Sequence, residues 1–174
     1  MITDKVFKGN FLNSPLARQT AWFFGLFSFV GFADSLYLTI EHYNGASVNC
    51  VITSGCDKVL SSEYAVMFGV PLPLIGVIYY LSVFSLIMFF LFTHSEKFFK
   101  AALLLSPIGF LASAYFVYLQ VFVIKYVCFY CMISAASATA LFLAACFLFF
   151  KAKKSGKETF SPISKNLVQP EKVK

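Results

Sequence analysis

The sequence predicts an all-α integral membrane protein of four spanning helices, and three observations lead there. The 174 residues are 59% hydrophobic and 13% charged with a mean hydropathy of +0.78, whereas a soluble domain is about 45–50% apolar and about 25% charged. Four apolar stretches, residues 20–40, 71–93, 98–124 and 127–150, each approach or exceed the roughly 20 residues that cross a bilayer as a helix. The cations gather at alternate ends of these stretches, as they do in multi-pass proteins.

The elements follow in chain order. Residues 1–19 carry Asp4, Asn10 and Asn13 and no cleavable apolar core, so they are expected to form a cytoplasmic segment and no signal peptide. The first span leads into a loop at about 41–70. The third contains Pro107, which removes one intrahelical hydrogen bond and is expected to bend the span, the freed carbonyl being satisfied by neighbouring helices. Residues 20–150 thus form one membrane domain, and the polar, lysine-rich residues 151–174 are expected to be a disordered cytoplasmic tail.

Orientation follows from charge. Lys5, Lys8 and Arg18 precede the first span, Lys97 and Lys100 separate the second and third, and seven lysines follow the fourth, whereas the opposite side has only Lys58 and Lys125. Both termini are therefore expected in the cytoplasm, with the 41–70 loop and the turn before the fourth span facing outward. The net charge of +6 is a topology signal. No basic surface interleaved with aromatics suggests nucleic-acid binding.

This topology puts four cysteines on one oxidising side. Cys50 and Cys56 lie in the first outward loop, and Cys128 and Cys131, in "YVCFYCMISA", open the fourth span. Cys146 is 15 residues beyond Cys131, about 22 Å further along a helix, and is expected to be a small packing residue. Two static disulfides would account for the other four by number alone. The spacing favours redox work: a Cys-x-x-Cys bridge encloses two residues and stabilises the fold little, while a helix N-terminus favours thiolate. The Cys50–Cys56 segment, "VITSG", is flexible through Ser54 and Gly55. One fixed pair and one mobile pair describe a relay.

A relay needs a terminal acceptor. Cys131 lies one turn deeper than Cys128, about 4.5 Å toward the hydrocarbon, where a lipid-soluble two-electron acceptor such as a quinone would meet it. Phe129, Tyr130, Tyr115, Phe116, Tyr118 and Tyr79 could line a flat pocket at that depth, although each singly also suits packing or an interfacial belt.

The run "NCVITSGCDKVLSSEYAVMFGVPLPLIGVIYY", preceded by "GFADSLYLTIEHY" and followed by "VCFYC", resembles the vitamin K epoxide reductase family, in its bacterial type without a fused thioredoxin-like domain. The resemblance covers about residues 20–150. It implies a four-helix bundle around a quinone, ubiquinone or menaquinone, capped by the outward loop with a short half-helix. It implies that Cys131 reacts with the quinone, that Cys128 is its disulfide partner, that Cys56 attacks Cys128, and that Cys50 exchanges with a separate thioredoxin-like, DsbA-like protein outside the membrane. Ser62 matches a serine that steadies the loop near the pocket, and "LSSEY" also suits an ordinary helix start. Tyr79 and Tyr115 are the candidate aromatic contacts to the quinone. Where animal members carry an asparagine before the second span and a tyrosine four residues beyond the second helical cysteine, this chain has Leu72 and Ala135, which argues against epoxide reduction. The implied location is a bacterial inner membrane.

Two polar features stand apart. Asp34 lies within the first span, about 9 Å from its outward end; a hydrogen-bonded or solvated structural role is expected, with proton transfer the alternative. His42 and His94 are isolated and on opposite sides, so no metal site is expected. A DsbB-type disulfide oxidase also has four spans and two cysteine pairs, but with the close pair in the first outward loop. A non-enzymatic membrane protein with structural disulfides would show no thiol-sensitive quinone reduction.

Overall fold

The computed structural model describes residues 15–44, 55–67 and 69–158; Cys50 and the terminal segments 1–14 and 159–174 lie outside them. Four helices are long and apolar enough to cross a membrane, and they form one bundle. Helix α1 (Pro15–Asn44) is followed by a short α2 (Cys56–Leu60), a 3₁₀ turn (Glu63–Ala65) and a two-stranded hairpin, β1 (Val66–Met67) with β2 (Val70–Pro71). Helices α3 (Leu72–Thr93), α4 (Glu96–Tyr118, continued by a π-helical segment Leu119–Ile124) and α5 (Phe129–Glu158) complete the fold.

The bundle is apolar outward as well as inward. Trp22, Phe92 and Leu111 are 62%, 83% and 67% exposed, the pattern of helices whose outer solvent is lipid. Without a hydrophobic drive between helices, close approach depends on small residues. Helix α1 supplies a stripe of them, Ala17, Ala21, Gly25, Ser28, Gly31 and Ser35, all buried. A Cβ at Gly31 would overlap the Tyr80 ring, and one at Gly76 would lie 2.8 Å from Ser35 Oγ, so α1 and α3 nearly touch. The buried hydroxyls of this stripe donate to their own helix: Ser28 to Phe24 O at 2.6 Å and Thr39 to Ser35 O at 2.7 Å. From α3, Tyr80 reaches α5, its hydroxyl donating to Ser134 O at 2.6 Å and accepting from Ser134 Oγ at 3.1 Å.

The structure refines the sequence reading of the spans. Helix α1 is longer at both ends than residues 20–40, beginning at Pro15, a residue pre-set for a helix start, and running into the expected loop as far as Asn44. The third span continues through Pro107; its irregularity falls later, at the π segment, which ends at Lys125 in the left-handed region (φ 59°). Residues 125–128 then run without helical structure into α5. The hairpin, which the sequence did not suggest, turns at Gly69 (φ 79°), where a side chain would be strained.

Candidate active site

Helix α2 and the start of α5 meet at one end of the bundle. Cys56 and Cys128 are fully buried in a small cluster with Leu38 and Val59, flanked by Leu60, Ile124, Tyr130 and Cys131. The approach is close because residue 55 is glycine: a Cβ there would lie 2.6 Å from Val127 O and 3.2 Å from Val127 N and C. Thus three of the four predicted redox cysteines share one site. Cys56 is disulfide-bonded, whereas Cys128, Cys131 and Cys146 are free thiols.

Cys128 occupies the N-cap of α5. Its carbonyl accepts from Met132 N at 3.1 Å, and its Sγ accepts from Cys131 N at 3.4 Å, the place a serine or aspartate oxygen takes in a conventional cap. The Cys131 thiol also donates to this sulfur, which holds the Cys128 pKa below the ordinary thiol value against the opposing push of burial. The exposed Lys125 side chain is not among the groups that shift it.

Cys131 faces the other way, into a cavity of about 230 Å³. Its walls are mostly apolar, with Leu72, Phe116, Ile124 and Ala135 among them, and Tyr79, Ser62 and Gln120 also contribute. Ile75 and Ile108 line it and are also exposed on the bundle's outer surface, so the cavity opens sideways between α3 and α4. The Tyr79 hydroxyl is buried with no hydrogen-bond partner among the described residues, and its ring fits only because residue 109 is glycine, where a Cβ would overlap the phenol. Ser62 Oγ donates to Val59 O at 2.7 Å, tying the 3₁₀ turn to α2 at the cavity's edge.

Tyr115 is the correction. It is 52% exposed and lines no part of the cavity, because the inward face of α4 runs through Gly109, Ala112, Ser113, Phe116 and Val117, and position 115 is turned about 100° away from Phe116 on a helix. Of the other aromatics, Phe116 lines the cavity, while Tyr118 is 54% exposed and packs on Phe122. Tyr130 meets Tyr37 at 5.1 Å outside the cavity. Cys146 lies far from this site, in the wall of a separate apolar cavity with Pro107 and Phe142.

Sequence reasoning missed Gln120. It is 4% exposed, its Oε1 accepts from Cys128 N at 3.0 Å, and it lines the cavity together with Cys131. The available signal was an amide alone in the apolar run "LQVFVI", since a buried amide without a partner is costly. Asp34 is partly buried in α1, and its Oδ2 has no hydrogen-bond partner among the described residues.

A family model, described as "Vitamin K epoxide reductase family", matches residues 22–146. The chain belongs to this family. It is also 35% identical over 119 residues to the thiol-disulfide oxidoreductase LTO1 of Arabidopsis thaliana, a match covering 63% of this chain and 31% of the plant protein. The chain therefore spans about a third of that relative's length. The family match and the four long apolar helices agree with the expected helical membrane bundle.

Proposed function

We propose that the protein is a quinone-coupled thiol oxidase that generates disulfides, drawing electrons from a separate thioredoxin-like protein through Cys50 and Cys56 to Cys128 and Cys131. The observation that carries this reading is the division of labour between two neighbouring sulfurs. Cys128 is packed against Cys56 of the loop helix, and Cys131 stands in the wall of a cavity open to lipid.

A thiolate of the partner attacks the loop disulfide and leaves the partner disulfide-linked to Cys50; the partner's second thiol displaces Cys50, and the loop becomes a dithiol. Cys56 then attacks Cys128 in the helical disulfide, expelling Cys131 as the thiolate, and Cys50 attacks Cys56 to re-form the loop disulfide and release Cys128. The two electrons now rest on the helical pair.

The cavity suits a flat apolar head group entering from the bilayer, with Tyr79 offering an uncommitted hydroxyl to a carbonyl oxygen and Cys131 adjacent. A quinone held there supplies a two-electron, two-proton acceptor that returns the helical pair to its disulfide. Because about 30 mV is worth about 1.4 kcal/mol for a two-electron couple, a high-potential acceptor can draw electrons even from a strongly oxidising partner. Leu72 and Ala135 both line the cavity without the polar groups that animal members carry there, which favours thiol oxidation over epoxide reduction. The same reading places the cysteine end of the bundle outward and both termini in the cytoplasm of a bacterial inner membrane.

The test uses purified protein, a reduced DsbA-like partner and a soluble quinone, comparing wild type with Cys131→Ala. Partner oxidation should be lost in the variant; equal oxidation by both proteins would overturn the mechanism.

A further inference from the structure

The site contains a polar group that no cysteine chemistry strictly requires. Gln120 sits on the π-helical segment Leu119–Ile124, between Leu119, 7% exposed, and Val121, Phe122 and Val123, which are 46%, 65% and 43% exposed. A π turn is rare beside the α-helix that precedes it and recurs at functional sites. Here it marks the point where the outward run of α4 turns one amide inward, onto the sulfur pair.

The two ends of that amide have different capacities. Oε1 accepts from the backbone N–H of Cys128, which sits at the N-cap of α5 outside the helix's own ladder. The amide nitrogen, with two hydrogens and no acceptor capacity, is the end left to donate toward the cavity that Gln120 lines together with Cys131. We propose that Gln120 is a positioning residue for the redox pair: its carbonyl fixes the Cys128 backbone within reach of the loop helix, and its NH₂ group steadies negative charge on Cys131 as that sulfur is freed. This rests on the relay assigned to the two cysteine pairs and names the protein group that prepares its inner member.

The geometry accounts for one amide where two simpler residues would each do half. Leucine would leave the Cys128 N–H buried without a partner, at a cost typical of an unmade hydrogen bond. Glutamate would keep that acceptor but turn an oxygen instead of a donor toward Cys131. The two functions are thus separable by substitution.

The test follows alkylation of Cys131 in reduced protein carrying Cys128→Ala, where Cys131 no longer shares its proton with a neighbouring sulfur, across pH and read by mass spectrometry of the labelled peptide, with residue 120 wild type, Gln120→Glu or Gln120→Met. This readout needs neither quinone nor partner protein. Gln120→Glu should melt close to wild type, yet its Cys131 should react at least tenfold more slowly at neutral pH, with the profile displaced to higher pH. Gln120→Met should slow Cys131 similarly and also lower the melting temperature, since the N–H of residue 128 loses its acceptor. A wild-type alkylation profile in either variant would overturn the proposal. Displaced profiles in the variants together with a wild-type protein that fails to oxidise any partner would instead uphold Gln120 and sink the quinone-coupled reading.

Discussion

Replacing Gly55 by alanine should disconnect the loop from the helical pair while leaving each intact. The backbone at Gly55 (φ −88°, ψ −15°) is right-handed helical, so alanine is compatible there and by itself would add about 0.4–1 kcal/mol of stability. The difficulty is contact. The new Cβ would lie 2.6 Å from Val127 O, and ordinary heavy-atom contact begins near 3.5 Å, so the loop helix has to withdraw by about 0.9 Å. The opposing atoms cannot give way easily. Val127 is backbone, and the next residue, Cys128, is held at its N–H by Gln120 and at its carbonyl by Met132 N. A misplacement of about 1 Å between reacting groups can cost on the order of 100-fold in rate, or about 2.7 kcal/mol. Stopped-flow oxidation of a reduced partner should therefore slow by about that factor in Gly55→Ala. Reduction of a soluble quinone by protein whose helical pair has been chemically reduced should proceed as in wild type, and the melting temperature should move little. Wild-type partner oxidation in this variant would refute direct Cys56–Cys128 exchange at this contact.

Other predictions follow from the same geometry. Tyr79→Phe should weaken quinone affinity about fivefold, the worth of one hydrogen bond of about 1 kcal/mol, and Gly109→Ala should weaken it further by displacing the ring; binding titrations with a soluble quinone would show the order. Because the Cys131 thiol holds the Cys128 pKa below the ordinary value, the stability this charge contributes is fully present above the ordinary thiol range and is lost as pH falls through the lowered pKa. Cys131→Ala should accordingly shift the pH profile of Cys128 alkylation upward, and an unmoved profile would count against the hydrogen bond. Tyr80→Phe should cost about 1 kcal/mol by cutting the α3–α5 link to Ser134, measurable as a lower unfolding midpoint. Impermeant maleimide applied to whole cells should label a single-cysteine variant that keeps Cys50 from the outer face alone.

What the sequence made legible was set by which physical signals are one-dimensional. Length and apolarity located all four spans, and cysteine spacing found the sulfurs that the fold gathers. Helical phase was harder. Tyr115 sits next to Phe116, which does line the cavity, but only the packed face of α4 distinguishes the two. Tyr79 depended on a remote glycine: nothing in "LIGVIYY" indicates that Gly109 of another helix makes room for its ring. Gln120 was visible as a polar interruption, yet its meaning required the π segment that turns it inward. Gly55 read as a source of loop flexibility, whereas in the fold its missing side chain permits a tight contact with Val127.

The capping sulfur of α5 ties the bookkeeping of electrons to the mechanics of a helix end. While Cys128 carries charge it grips the N–H of residue 131, as an aspartate would; once that sulfur enters a disulfide its charge is gone and the grip slackens. The first turn of the helix that bears both inner sulfurs is thus tighter when loaded than when spent, so the redox state of the pair is written into the backbone around it.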